Sequence, residues 1–333
     1  MRITTEMLTK LTRDFVSQRT LADRDILAVY LHGSMLLEEY LIGGTTDIDL
    51  FIVHNDNRPE SREIVRITDE IHFDIAHHPR SLYRHARDLR LHPWLGPTIN
   101  GCKILYDPQH FLDFAQASVR GQFMLPSNVL LRARPLVEKA RQIWLAFASG
   151  PVDAGPKELE DYLRAVAHAA NGIASLVGAP LTERRFLIDF RSRAARLSHS
   201  GLYAGLLGLL GAPHLDNQDF EPWRAAWRLA YTSLPPDRTP DRLHTHRLPY
   251  YERAFAALSA ESKFQDALWP LLRTWTESIR LLPEEAPHRP AWRQAGEKLG
   301  LLGPGFQERI TALDAYLDLI EETLDAWAAA NGA

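Results

Sequence analysis

The stretch from Ile26 to Val53, ILAVYLHGSMLLEEYLIGGTTDIDLFIV, constrains this chain more than any other part. Ile26 to Leu31 is an apolar and aromatic run that predicts a strand, closed by a tight turn at Gly33-Ser34. A short helix from Met35 is expected next, then a Gly43-Gly44 turn and a second strand from Asp47 to Val53. Side chains alternate along a strand, so Asp47 and Asp49 share one face while Ile48 and Leu50 take the other. A third strand is expected over Ile71 to Ala76, with Asp74 alone among apolar neighbours. Asp69 and Glu70 lie close enough to replace it if the register slips. Asp74 is preferred because an acid embedded in apolar surroundings is costly without a partner.

Two carboxylates at i and i+2 repel one another and need a counter-charge. A hard divalent cation supplies one, and Mg²⁺ is commonly held by one or two carboxylates together with substrate phosphates. Gly33 allows close backbone approach to a phosphate, while Ser34 and the start of the Met35 helix offer donors to its oxygens. Asp74 would complete a two-metal site or accept the proton of an attacking hydroxyl. Such parts suit in-line displacement on a nucleoside triphosphate.

The order Gly33-Ser34, 12 intervening residues, Asp47-Ile48-Asp49 and a later strand with Asp74 resembles the nucleotidyltransferase superfamily of DNA polymerase beta. Within it, the chain looks most like the small bacterial nucleotidyltransferases related to aminoglycoside adenylyltransferases. The resemblance covers about residues 20–110 and implies roles by position. Gly33 and Ser34 would hold the triphosphate. Asp47, Asp49 and Asp74 would be the catalytic carboxylates and the ligands of Mg²⁺, with two ions expected. Strand residue Lys103, followed by a Tyr106-Asp107-Pro108 turn like those of this family, is a further candidate for triphosphate contact; a solvated strand lysine is its plainer reading. In kanamycin-type enzymes a second-domain glutamate acts as base toward the acceptor. No such residue can be aligned here, and Glu160 is only the nearest guess.

Composition narrows the rest. The chain has 333 residues, 24% of them charged, with a formal net charge of −4. That balance argues against a dedicated nucleic-acid binder, which would show a basic face. The single Cys102 excludes an intramolecular disulfide and any cysteine-based zinc cluster. The first 20 residues mix charged and apolar positions without a signal-peptide core, and no window suits a bilayer span, so a cytoplasmic protein without membrane contact is expected.

Residues 3–20 predict an amphipathic helix capped at Thr4 or Thr5, with Met7, Leu8, Leu11 and Phe15 on one stripe. His54 to Glu63 reads as a polar loop that includes Pro59, and Ser81 as the N-cap of a helix to about Leu91. His72 shares the face of Asp74; the adjacent His77 and His78 must point opposite ways; His32 reads as a packed strand residue. From about Ser127 the pattern is helical: Val129–Phe147, Leu159–Val177, Glu183–Leu197 capped by Thr182, Gly201–Ala212, and a last helix over Phe306–Ala329. Ser149–Lys157 and the proline-rich Ser233–Tyr250 read as loops, the latter on the surface. Arg184, Arg185, Arg191, Arg193 and Arg196 form either a phosphate or RNA patch or a salt-bridged helix, the second being favoured. Leu313, Leu317, Ile320, Leu324 and Trp327 make a stripe that docks internally or seams a homodimer, the internal reading again favoured.

The sequence therefore predicts an α/β + α chain: a small mixed-sheet nucleotidyltransferase domain over 1–125, then an all-helical, acceptor-side domain over 126–333. The expected reaction is Mg²⁺-dependent transfer of a nucleoside monophosphate, AMP from ATP by preference, to a hydroxyl with release of pyrophosphate. An aminoglycoside-like small molecule is the leading acceptor. Protein AMPylation, an RNA 3′ end and a non-catalytic nucleotide-binding role on the same fold stay open.

Overall fold

The computed structural model describes residues 3–58, 60–150, 153–236, 239–261 and 263–333. Pro59, residues 151–152 of the loop expected over Ser149–Lys157, and residues 237–238 of the one expected over Ser233–Tyr250 lie outside that set. The chain divides into two compact units, Met1–Met124 with His246–Ala254, and Leu125–Thr245 with Phe255–Ala333. A single cut at residue 125 therefore misses the return of His246–Ala254 to the first unit.

The first unit opens with helix α1 (Thr5–Ala22), whose cap is Thr4: its Oγ1 accepts the Met7 N–H at 3.2 Å. Strands β1 (Ile26–His32), β2 (Thr46–His54), β3 (Arg62–Arg66), β4 (Ile71–Pro79) and β5 (Lys103–Tyr106) form one mixed sheet in the order β3-β4-β2-β1-β5. β2 and β4 run parallel, and the other neighbours are antiparallel. Between β4 and β5 lie α2 (Ala86–Leu91) and α3 (Leu95–Gly101), and α4 (Phe111–Arg120) follows β5.

Each face of the sheet has its own apolar layer, which is what strict alternation requires. Ile48, Leu50, Ile52, Phe73 and Ile75 pack with Leu8 and Val16 of α1, and Phe15 stacks on Phe73 with ring centroids 4.2 Å apart. On the opposite face, Tyr30 and Val53 pack with Leu89, Leu95, Ile99 and Leu112 of α2 to α4. Asp47 and Asp49 belong to this second face, at the upstream end of β2 from Val53.

Three local expectations change. The polar loop expected over His54–Glu63 ends inside β3, an edge strand whose arginines and glutamate disguise it; edge strands commonly carry such charges. The helix expected from Met35 is a single 3₁₀ turn, Ser34–Leu36. The helix expected from Ser81 is a 3₁₀ turn over Arg80–Tyr83 followed by α2.

The regular elements of the second unit are helices, with no strand among its described residues: α5 (Pro126–Ala148), α6 (Pro156–Val177), α7 (Phe186–Arg196), α8 (Ser200–Leu209), α9 (Asn217–Thr232), the later part of α10 (Leu248–Ala260), α11 (Phe264–Leu281), α12 (Arg289–Lys298) and α13 (Phe306–Asn331). Leu313, Leu317, Ile320 and Leu324 are buried within it, so the stripe of the last helix docks internally. Its acidic face meets Arg141 of α5, which binds Asp314, Asp318 and Glu321 at 2.5–3.0 Å. Four of the five arginines, Arg185, Arg191, Arg193 and Arg196, have partners within this unit. Arg191 pairs with buried Asp266 at 2.6 Å, Arg185 with Asp189, and Arg196 donates to the Val177 carbonyl. No described helix is long and apolar enough to cross a membrane.

The Gly43-Gly44 turn forms as expected, bridged by Ile42 and Thr45, with φ of +60° and +70°. A Cβ on Gly43 would collide with the Arg253 carbonyl, whereas one on Gly44 meets open space. Gly44→Ala should therefore cost about 1 kcal/mol through its backbone alone, and Gly43→Ala at least about 2 kcal/mol, read by urea unfolding. Equal costs would mean that the Arg253 contact is not a constraint.

Candidate active site

The parallel register places Asp49 opposite Asp74 and Asp47 opposite His72, all on one face of the sheet. One ligand oxygen from each of Asp47, Asp49 and Asp74 lies within 4.8 Å of the others. Asp47 and Asp74 are buried, at 8% and 4% exposure, and Asp49 is half-buried. The alternative acids are engaged elsewhere: Asp69 pairs with Arg66 and Glu70 with Arg253. Asp74 is the third carboxylate.

Gly33 sits directly against this group. Its φ is +82°, and a Cβ there would collide with the Asp49 carboxylate. Only glycine meets both demands without strain. Ser34 lies beside β2, its Oγ 3.3 Å from Thr46 Oγ1. Because Met35 starts no regular helix, the row of free N–H groups expected there is not formed; the Leu36 and Leu37 amides bond the carbonyls of Gly33 and Ser34. Lys103 is not brought to the carboxylates. It pairs with Leu31, on the sheet face that carries the α1 core, and is exposed.

Three residues that local sequence patterns did not point to complete the site. Arg62 of β3 grips Asp74 with both ends of its fork, Nε to Oδ1 and Nη2 to Oδ2, each at 2.6 Å. Arg247 makes a second ion pair with Asp74. Tyr250 donates its hydroxyl to Asp47 Oδ2 at 2.7 Å, and its ring meets the edge of His72 at a centroid distance of 5.1 Å. Arg247 and Tyr250 come from the segment expected to be a surface loop. Instead, residues 245–247 form a 3₁₀ turn, α10 begins at Leu248, and both side chains are buried. Their only sequence signal was a buried-type tyrosine and an arginine in a polar, proline-rich run. The partners lie some 200 residues upstream, beyond any local pattern.

Downstream of Asp49 on the same face, Phe51 stacks on Tyr30 with rings 4.8 Å apart. Phe51, His78, Leu89, Trp94 and Leu95 wall a cavity of about 420 Å³. His78 and His77 point to opposite faces, as adjacent strand residues must. His78 Nδ1 lies 2.6 Å from the Tyr83 hydroxyl, and His77 Nδ1 lies 2.9 Å from His54 Nε2. Burial lowers His32 to about 4; burial and then the charge of His77 lower His78 to about 4. Both are therefore neutral at pH 7, and neither is a ligand of the carboxylate group.

Compared with known proteins, the chain matches no protein-family model and no curated sequence.

The two histidines give the protein a pH signature. Unfolded, each binds a proton near pH 6.5; folded, only near pH 4. The unfolded state thus holds more protons between those values, and stability should fall as pH drops from about 6.5 to 4, by up to about 1.4 kcal/mol per pH unit for each. Urea unfolding at pH 8, 6 and 5 reads the slope. His78→Gln, which can still meet Tyr83, should reduce it; an unchanged slope would assign the protons elsewhere.

Proposed function

We propose that this protein is a Mg²⁺-dependent nucleotidyltransferase, transferring a nucleoside monophosphate from a nucleoside triphosphate to a hydroxyl with release of pyrophosphate. The observation that carries this reading is the convergence of Asp47, Asp49 and Asp74 within 4.8 Å beside a glycine that tolerates no side chain. Buried acids so close together call for a cation, and two carboxylates plus phosphate oxygens are a usual setting for Mg²⁺. Asp47 and Asp49 would hold it. Bound there, Mg²⁺ would neutralise charge on the phosphates and on the departing pyrophosphate.

The chain's own groups account for the rest of the site. Gly33 leaves room for a phosphate against the turn, and Ser34 offers a hydroxyl donor. The acceptor oxygen bonds to the α-phosphorus as the bond to the bridging oxygen of pyrophosphate breaks, and the acceptor proton passes to a base. Asp74, bridged to two guanidiniums, is better placed to orient those cations than to take that proton. The apolar cavity beyond Phe51 falls within the size range of small-molecule sites and favours a small organic ligand over a macromolecule. ATP as donor and an aminoglycoside-like acceptor remain the preferred pair by resemblance.

A second reading, a nucleotide-binding protein without transfer, draws on Tyr250, whose hydroxyl engages Asp47, one of the carboxylates that would hold the metal. Nucleotide consumption in the presence of candidate acceptors separates the two.

Melting temperature with ATP, GTP, CTP and UTP, each with and without Mg²⁺, tests the site. One nucleotide should stabilise the wild type only with Mg²⁺. Asp47→Asn and Asp49→Asn should lose that shift and lower turnover more than about a hundredfold while keeping the circular dichroism spectrum. Lys103→Ala should keep the shift. No shift with any nucleotide, or one that survives both aspartate substitutions, would remove the proposal.

A further inference from the structure

On the sheet face turned away from the carboxylates, β2 ends in His54 and β4 carries His77 near its end. His77 pairs in register with Ile52, and His54 follows Ile52 by two residues, so both lie on the face that carries α1. His54 is 2% exposed, and its Nε2 lies 2.9 Å from His77 Nδ1. Charged groups surround the pair from each neighbouring element. Arg19 and Asp23 come from the end of α1, and Asp25 directly precedes β1. Arg58 and Glu60 come from the stretch after β2, and Glu63 from β3.

One contact fixes where the protons sit. A guanidinium can only donate, and Arg58 Nε donates to His54 Nδ1 at 3.2 Å. Neutral His54 therefore carries its proton on Nε2 and donates it to His77 Nδ1. Neutral His77 is left with its proton on Nε2, which faces Glu63 Oε2 at 3.5 Å. The pair is thus a directed chain from Arg58 through both rings to Glu63, whose other oxygen meets Arg19 at 2.5 Å. Arg58 is held besides by Asp23 at 2.6 Å and Asp25 at 3.1 Å.

We infer that this pair is an acid-operated switch in which His54 Nδ1 exchanges Arg58 for Asp25. The inference is independent of the reaction proposed above. Two imidazoles joined by one N–H···N bond hold a single proton between them. When the pair takes up one proton from solvent, three protons occupy four nitrogens. One stays between the rings, so the other two must sit on the outer nitrogens, His54 Nδ1 and His77 Nε2. This holds whichever ring carries the charge. His54 Nδ1 then donates and can no longer accept from Arg58, while Asp25 Oδ2 lies 3.6 Å away. Arg58 now faces an N–H, lets go of the ring and keeps only its carboxylate partners. Proton uptake so transfers the end of β2 from a residue on the way to β3 to the residue that precedes β1. Burial disfavours the charged form of His54, as do Arg58 and His77, whereas Asp23 and Asp25 favour it. The balance holds the exchange on the acid side of neutrality.

Nitrogen NMR of the imidazoles tests this on the full chain labelled with ¹⁵N-histidine. Long-range ¹H–¹⁵N correlations report the protonation of each ring nitrogen, and His54→Gln and His77→Gln assign the two rings. At pH 8, His54 should be protonated on Nε2 alone. On acidification its Nδ1 should move to the protonated position together with the first proton taken up by the pair. Arg58→Met should raise the midpoint of that step and Asp25→Asn should lower it, each by about half a pH unit or more. Three results would each overturn the inference: His54 protonated on Nδ1 at pH 8, a first proton taken up without change at Nδ1, or no uptake before the chain unfolds. So would a midpoint that stays put in folded Arg58→Met. If neither variant folds, the wild-type nitrogen shifts decide alone.

Discussion

Three acids held within 4.8 Å on parallel strands are the constraint around which the first unit is arranged. Uncompensated, such a cluster repels itself, and two of its members are buried where water screens them poorly. The fold answers with cations and donors from three separate places. β3 lies at the sheet edge and delivers Arg62 across to β4. The turn before α10 and the first turn of that helix return from the far part of the chain with Arg247 and Tyr250. The turn after β1 makes room by having no side chain at Gly33. Removing one charge partner from a buried pair costs about 3–5 kcal/mol, because an uncompensated ion remains. The same contacts therefore bear on stability and on whatever the site binds.

This arrangement makes the first unit discontinuous. Asp47 and Tyr250 are separated by 203 positions, yet share a hydrogen bond of 2.7 Å. Residues 1–124 alone build the sheet, all three carboxylates and the Arg62 pair of Asp74, but lack Arg247, which also pairs with Asp74, and Tyr250, which donates to Asp47. A helix start suits the returning segment. Pro249 falls in the first turn of α10, where a missing N–H does no harm, so a run that reads as loop by composition is ordered as a turn and a helix.

How much was legible depended on the range of the interaction. Strand alternation put Asp47 and Asp49 on one face, and the apolar setting of Asp74 singled it out from Asp69 and Glu70. Helical periodicity located most of the second unit, and the stripe Leu313–Leu324 announced its own burial. β3 went unread because an edge strand with arginines at both ends has the composition of a loop. Lys103 was assigned to the site as a rare lysine on a strand expected near it; its pairing with Leu31, one residue out of phase with the carboxylate face, turns it away. Thr182 and Ser81 looked like helix caps, but the regular helices start at Phe186 and Ala86, since a capping residue marks where a helix is permitted and the following turns decide whether it begins there.

By itself the sequence determined the local framework: which residues form strands, which face carries acids, and where glycine must stand, because these follow from a period of two and from backbone conformation. Only the tertiary structure decided what meets the acids. Arg62, Arg247 and Tyr250 are unremarkable in their own neighbourhoods, and their roles exist because the sheet order and the return of the chain bring donors to charges that would otherwise be buried alone.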